Sequence, residues 1–584
     1  MRKTKIICTV GPVSEKPEIL KDLIQQGANV IRLNFSHGDH EEHGKRIDLI
    51  KKIRDEMKVP VAILIDIKGP EIRIGKFRDD KASLKEGQNF VLTTSDVEGD
   101  ETKVSVYFEG IIDDVSKGTT ILIDDGLIEL SVDNIIGDEV HCKVINGGIL
   151  ENGKSVNIPG VSISLPSITP KDIEDIKFGI SREVDYIAIS FVRKIADVLD
   201  VKRILETNNG GHIKVISKIE NQEGLENIDN IIKISDGIMV ARGDLGVEIP
   251  IEDVPIAQKS IIKKCNNASK PVIIATQMLD SMIRNPRPTR AETSDVANAI
   301  YDGTDAIMLS GETAMGKYPL ESLLTMATIA RRVESSINYV NEFEKRIVGE
   351  QATVTNSISH ATCSIAHDLQ AKAIITATQS GDTARMVSKY RPASHIIATT
   401  TSKNTYSELA LVWGVWPYIS PDVGDTDKMI DKSIEIATKT ENVNVGDVVV
   451  ITAGVPVGMS GSTNLIKVNV IGDILSKGTG IGTGSAFGRV CIVNSVMDAR
   501  MKFQDGDIIV TSSTDNSLLP FMKKASAIIT EESGITSHAA IVGISLEIPT
   551  IVDAQEITKI LHDGMCVTID PIKGFIYNGR AQAV

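Results

Sequence analysis

The chain has 584 residues, too many for one hydrophobic core, so several domains are expected. Its 42% hydrophobic and 24% charged content is that of an ordinary soluble protein, and a formal net charge of −15 argues against nucleic acid or an anionic membrane as a general partner. No run approaches the ~18 apolar residues of a membrane span, the apolar stretch before Gly11-Pro12 is too short for a signal peptide, and the six widely spaced cysteines form no CxxC pair, so a reduced, cytoplasmic compartment is expected.

From the N-terminus, strands and helices alternate at a steady pace. KTKIICTV is followed by the helical PEILKDLIQQG, then NVIRLNF, EEHGKRIDLIKKIRDEM and PVAILIDI. The strands are near-continuous apolar runs, as expected where helices cover both faces of a parallel sheet. The rhythm stops at Lys68-Gly69-Pro70 and resumes with KDIEDIKFGISRE and DYIAISFV, running on to DAIMLSG and its following helix. Eight strands, each followed by a helix, lie in residues 1–69 and 169–343. Together these parts approach the ~250 residues typical of a (β/α)8 TIM barrel, and that fold is predicted. Function in such a barrel belongs at the C-terminal strand ends. Polar residues collect there: Arg32, Asn34 and Ser36; Asp66 and Lys68; Lys218 and Glu220; Arg242 and Asp244; Thr276; Ser310 and Glu312.

Residues 70–168 interrupt the barrel with short alternating segments such as NFVLTT, KVSVYF and LIELSV, separated by Gly, Asp and Asn. An all-β insertion, a small barrel or sandwich, is predicted, placed to serve as a lid that excludes water. Residues 344–472 return to an α/β pattern. Within them Thr378-Gln-Ser-Gly-Asp-Thr383 joins a strand to a helix, a turn whose hydroxyls and backbone N–H groups suit a phosphate as well as plain helix capping. The Gly-rich tract at 478–488, including Gly480, Gly482 and Gly484, reads as a linker rather than a nucleotide fingerprint. Residues 473–584 form a further small domain with strands such as DIIVTS, AIITE and PTIVD.

The stretch Val215–Gly246 concentrates chemistry. Lys218 and Glu220 lie two apart on one strand, Arg242 and Asp244 two apart at the end of the next, so each pair faces one side. A lysine beside two carboxylates at strand ends suggests a hard metal ion with a cationic partner. An ion-paired rim would show the same residues, but capping and rim pairs do not explain polar clusters on most strand ends.

Residues 1–472 resemble the pyruvate kinase family. The motifs carrying the resemblance are RLNFSHG (32–38), DIKGPEIR (66–73), ISKIEN (216–221), MVARGDLG (239–246), ATQML (275–279), NPRPTRAE (285–292) and MLSGETA (308–314). ITEESGITSHAAIV (529–542) resembles the mobile phosphohistidine domain of phosphoenolpyruvate-utilising enzymes, which some bacterial members of the family carry as an extra domain. Ser533 departs from the glycine usual in that motif. Ile67 replaces a threonine common in the family, a change without consequence where the backbone carbonyl is the ligand.

The resemblance implies phosphoryl transfer from phosphoenolpyruvate to ADP, giving pyruvate and ATP, with Mg2+ (or Mn2+) and K+. Glu220 and Asp244 would hold Mg2+; Asn34, Ser36, Asp66 and the Ile67 carbonyl would hold K+. Lys218 would stabilise the phosphoryl group in transit, with Arg32 and Arg73 as phosphate clamps. Thr276, Gly243 and Asp244, on or beside the Arg242–Leu245 backbone, would hold the substrate carboxylate. Thr276 and Ser310 could relay a proton to the enolate. His37, Lys171, Arg73 and Asn34 would lie near the nucleotide. Glu71 marks a K+-dependent member, since those independent of the ion carry lysine there. A homotetramer is implied, as is a phosphorylated effector at Thr378, Ser380, Gly381 and Thr383. His538 is expected not to be catalytic, because no additional nucleotide-grasp domain accompanies it. Two alternatives retain the barrel: a metal-dependent lyase on a pyruvate-binding site, and a regulatory scaffold that has lost its chemistry.

Overall fold

A computed structural model describes residues 2–346, 353–440, 443–444, 446–455, 463–472 and 474–580. The sequence-based boundary at residue 473 and the last four residues therefore lie outside the described residues. The chain divides into two compact units, residues 1–350 with 402–417, and residues 351–401 with 418–584.

The first unit is built on a closed eight-stranded barrel. Its strands are Lys5–Val10 (β1), Val30–Asn34 (β2), Ala62–Asp66 (β3), Tyr186–Ile189 (β4), Lys214–Ile219 (β5), Gly237–Ala241 (β6), Val272–Ala275 (β7) and Ala306–Leu309 (β8). Neighbours pair in parallel around the ring, β8 closing on β1 through Lys5↔Ala306 to Cys8↔Leu309. Side chains alternate between two cores because strand residues point to opposite faces. Ile31, Ile63, Ile187 and Val215 pack outward against the helices. Ile7, Val30, Leu64, Ala188, Ile216 and Met239 fill the barrel interior. That alternation sets which later residues face the mouth.

Between β3 and β4 the insertion folds around its own apolar cluster, as a six-stranded sheet and a two-stranded sheet. The chain re-enters the barrel at the helix Pro170–Ser181. Thr169 caps it in a reciprocal box with Asp172, and Asp172 Oδ1 also accepts from Gly69 N, 3.0 Å, where the chain left the barrel. Both hinges are thus tied at one carboxylate.

The opposite end of the barrel is closed by residues 402–417. The sequence places these within the 344–472 domain, but they pack with the first unit. Ala410 and Leu411 complete the interior cluster, Tyr186 Oη donates to the Glu408 carbonyl at 2.7 Å, and Lys5 Nζ donates to the Val415 carbonyl at 2.6 Å. A barrel needs its lower mouth sealed from water, and a non-contiguous segment does so here, which local periodicity does not signal.

In the second unit, His395–Thr400, Ala373–Ala377 and Val448–Gly454 run parallel, with Thr463–Val470 antiparallel at one side. An eight-stranded sheet follows, built from eight strands within residues 474–578. Here the linker reading of 478–488 is corrected. Thr479–Ile481 pairs with Thr550–Val552, and Ala486–Ile492 is a central strand. Gly478 and Gly480 serve close approach rather than flexibility: a Cβ on Gly480 would fall 1.7 Å from the Pro571 carbonyl oxygen, and one on Gly478 2.4 Å from that of Val552.

Candidate active site

The inward face of each strand, followed two residues at a time toward the C-terminal mouth, changes from apolar to polar. Ile7 leads to Thr9, Val30 to Arg32, Leu64 to Asp66, Ala188 to Ser190, and Ile216 to Lys218 and then Glu220. These residues meet. Arg32 Nε donates to Asp66 Oδ2 at 2.7 Å, and another guanidinium nitrogen donates to the Thr9 hydroxyl at 3.1 Å. Lys218 Nζ lies 2.9 Å from Glu220 Oε1 and 3.4 Å from Asp66 Oδ1, and donates to the Ser190 hydroxyl at 2.8 Å. The second Glu220 oxygen accepts from Phe191 N at 2.6 Å. Phe191 has φ 55°, so its left-handed backbone aims that N–H inward at a conformational cost.

Two cations and two carboxylates are thereby buried together. Burial works against the Lys218 ammonium, but Asp66 and Glu220 more than offset it and hold its pKa above the ordinary lysine value. Burial likewise opposes the Asp66 carboxylate, yet Lys218 and Arg32 keep its pKa below the usual range. Glu220 is pushed up by burial, opposed by Lys218 and reinforced by Asp244; Asp244 is also raised, again chiefly by burial. The 2.9 Å separation of Lys218 and Glu220 favours the ion pair. Buried Glu220 and half-buried Asp244, both pushed up by desolvation, offer oxygens whose charge a hard divalent cation would stabilise. Glu220 and Asp244 therefore fit Mg2+ or Mn2+.

Asp244 stands in the first turn of the helix Arg242–Glu248, which starts two residues earlier than its carboxylate. Gly243 N donates to the Thr276 hydroxyl at 2.8 Å, and that hydroxyl donates to the Ala275 carbonyl at 2.7 Å. Thr276 and Gln277 both have positive φ, 67° and 54°, so the turn after β7 is strained where it meets the helix. Arg242 is engaged with Asp295 at 2.6 Å and with the Thr276 carbonyl at 2.9 Å, bracing this turn from behind.

Asn34 is paired in register with Asp66 across β2 and β3, and its Oδ1 accepts from Ser36 N at 3.2 Å. The Ile67 carbonyl accepts from the Ser190 hydroxyl at 2.8 Å. Asn34, Ser36, Asp66 and Ile67 thus bring oxygen donors to two adjacent strand ends, a set that suits K+. Ser36 and His37 are exposed on the loop beyond β2, and Lys171 Nζ donates to the Phe35 carbonyl of the same loop at 2.9 Å. Ser310 turns into a short helix, its N–H donating to Glu312 at 2.7 Å.

Arg73 is not poised as an open clamp. It forms a two-pronged pair with Glu71, 2.9 and 2.7 Å, and donates to the Gly153 carbonyl at 2.6 Å. To reach a phosphate it must release Glu71, which Lys68 also approaches at 3.5 Å. Between insertion and barrel lies a cavity of about 240 Å³, lined among others by Glu71, Asp125, Asn157, Phe191, Asp244 and Glu248. Asn157 Nδ2 donates to Glu248 Oε1 across it at 2.8 Å, so the insertion is held over the barrel mouth.

In the second unit the turn at 378–383 presents only part of the expected set. Gly381, at φ 82°, donates its N–H to the Thr378 hydroxyl at 3.0 Å, and Ser380 Oγ donates to Asp382 at 2.8 Å. Thr383 is corrected as a ligand: it is buried, with its hydroxyl against that of Thr463 at 2.9 Å. Being the second residue of the helix, it faces the sheet rather than the turn. His538, at the start of the helix His538–Leu546, has Nδ1 2.9 Å from the Thr514 hydroxyl and Nε2 3.2 Å from Asn516 Oδ1.

Sequence reasoning missed Thr9, Ser190 and Phe191. The signal for the first two was present, since each continues the inward parity of its strand by one step. Phe191 acts through its backbone and leaves no such trace.

The family model described as pyruvate kinase, barrel domain, matches residues 1–323. That of the pyruvate kinase alpha/beta domain matches 356–469, and that of the PEP-utilising enzyme mobile domain matches 503–574. The chain is 52% identical to a pyruvate kinase of Geobacillus stearothermophilus over 585 residues and 51% identical to one of Bacillus licheniformis over 586, covering 100% of each chain. Among solved structures, a pyruvate kinase from Cryptosporidium parvum superposes with a TM-score of 0.77 at 41% identity, covering 80% of this chain and 96% of that one.

Proposed function

This chain belongs to the pyruvate kinase family, and on that premise we propose that it transfers the phosphoryl group of phosphoenolpyruvate to ADP at the mouth of the barrel, beneath the insertion. The observation that carries the residue assignment is the buried group Arg32, Asp66, Lys218 and Glu220, with Asp244 on the next strand's helix. Catalysis of this transfer is mainly positioning and charge stabilisation. Lys218 is charged, inward and directional, so it holds the transferred group. Arg32, braced on Asp66 and Thr9, presents its remaining donors to phosphate. Arg73 joins once it parts from Glu71. Glu220 and Asp244 would hold Mg2+ or Mn2+, an ion that would supply positive charge to offset the negative charge developing in the transfer. K+ would take Asn34, Ser36, Asp66 and the Ile67 carbonyl.

The Thr276 hydroxyl accepts from Gly243 N and lies beside the helix start, where the substrate carboxylate finds backbone donors. Its proton rests on the Ala275 carbonyl, so handing it to the enolate requires a rotation of the side chain, with Ser310 as the second hydroxyl in reach of the mouth. His37 and Lys171, joined through the Phe35 loop, are assigned to the nucleotide. The reading extends to a cytoplasmic homotetramer and to a phosphorylated effector on Thr378, Ser380 and Gly381. The domain limits proposed are 1–69 with 169–343, 70–168, 344–472 less the segment 402–417, and 473–584. The test is a coupled assay of ATP formation from phosphoenolpyruvate and ADP, with Mg2+ and K+. Absence of ATP would favour a silent scaffold, and carbon–carbon cleavage of an oxo acid a lyase.

A further inference from the structure

Ser190 is buried just past the end of β4, at the mouth end of that strand's inward face, and no step above uses it. Its hydroxyl joins two parts of the site. Lys218 Nζ donates to it at 2.8 Å, and it donates onward to the Ile67 carbonyl at 2.8 Å. The direction of this relay has no alternative. An ammonium is only a donor and a carbonyl only an acceptor, so the serine proton must point to Ile67 and its lone pair to Lys218. The neighbouring Phe191 N–H grips Glu220 at 2.6 Å. One turn therefore holds both the cation and the carboxylate beside it.

The carboxylates cannot fix the ammonium in the same way. They attract it at 2.9 and 3.4 Å from two sides, a pull that falls slowly with angle. A hydrogen bond adds a preferred direction. The surroundings leave little slack: a Cβ on Gly69 would lie 3.0 Å from Ser190 Cβ and 3.1 Å from its carbonyl oxygen, so Gly69 packs directly on the turn. We propose that Ser190 is a positioning residue for phosphoryl transfer, its hydroxyl orienting the Lys218 ammonium and anchoring it to the Ile67 backbone. The inference rests on the assignment of Lys218 to the transferred group.

The substitution Ser190→Ala removes the hydroxyl at almost no change in volume. Expected for ATP formation is a fall in kcat of about ten- to a hundredfold, the cost of one hydrogen bond to a charged group acting in the transition state, with KM for phosphoenolpyruvate within about threefold of the parent. Ser190→Cys, which keeps a weak donor and acceptor, should recover part of kcat. Melting temperature is measured on both variants, and Cys also serves if Ala does not fold. An unchanged kcat in Ser190→Ala would overturn the proposal. So would a kcat loss that Cys fails to relieve, or one matched by an equal rise in KM. Failure of the parent to make ATP would instead defeat the assignment of activity, which keeps the two readings separable.

Discussion

Replacing Lys218 with methionine isolates the central charge of the site. Methionine keeps most of the side-chain volume and its apolar stem, so the barrel interior below, at Ile216, is undisturbed. What disappears is a buried ammonium within 2.9 Å of Glu220 and within 3.4 Å of Asp66. A unit charge pair at about 4 Å and an effective dielectric near 20 is worth ~4 kcal/mol, which sets the scale for the lost attraction to a transferred phosphoryl group. That corresponds to about a thousandfold in rate. Because Asp66 and Glu220 hold the lysine pKa above its ordinary value, the parent ammonium is charged across any practical assay range. The deficit should therefore not be recovered by lowering pH. Divalent-cation binding should persist, since the two carboxylates remain, and proton exchange on pyruvate should be partly retained. The readouts are steady-state ATP formation, Mn2+ binding by the purified variant, and solvent exchange of the pyruvate methyl protons. ATP formation within tenfold of the parent would refute the role of Lys218, and loss of Mn2+ binding would mean that it acts through the metal site.

Three further outcomes are expected. Glu71→Lys removes the pair that restrains Arg73 and places an ammonium at the hinge of the insertion; the requirement for K+ should weaken, and full parental turnover in K+-free buffer would remove the basis for that expectation. Lys5 is wholly buried under the Trp416 ring and its pKa is pushed down to about 7, mainly by burial. Above that pH the unfolded chain retains a proton the native one has released, so native stability should rise toward the ordinary lysine value of 10.5; urea midpoints at pH 7 and 9 should diverge less in Lys5→Met, and an unchanged difference would show that other groups set the slope. Removing residues 473–584, or making His538→Ala, should preserve most turnover, because His538 lies in the second unit, where its ring nitrogens meet the Thr514 hydroxyl and Asn516 Oδ1. Acid-labile phosphate on His538, with loss of ATP formation in His538→Ala, would contradict this.

The barrel, the β insertion, the α/β character of the following domain and the family of the chain are all legible in the amino-acid sequence. Those features are written locally: apolar runs spaced by helices, alternation at period two, and long motifs with fixed residues at strand ends. The same period two puts Lys218 and Glu220 on one side of β5. Three further features arise from contacts made in the folded chain. The fold placed residues 402–417 under the barrel, since sealing the lower mouth is a need of the closed ring and not of that segment. It made the glycines at 478 and 480 points of backbone contact, because whether a missing side chain gives freedom or room depends on what lies opposite. And it joined Lys218 to Ile67 through Ser190, and Glu220 to the Phe191 N–H, contacts between strands far apart in sequence whose geometry no pattern along one strand contains.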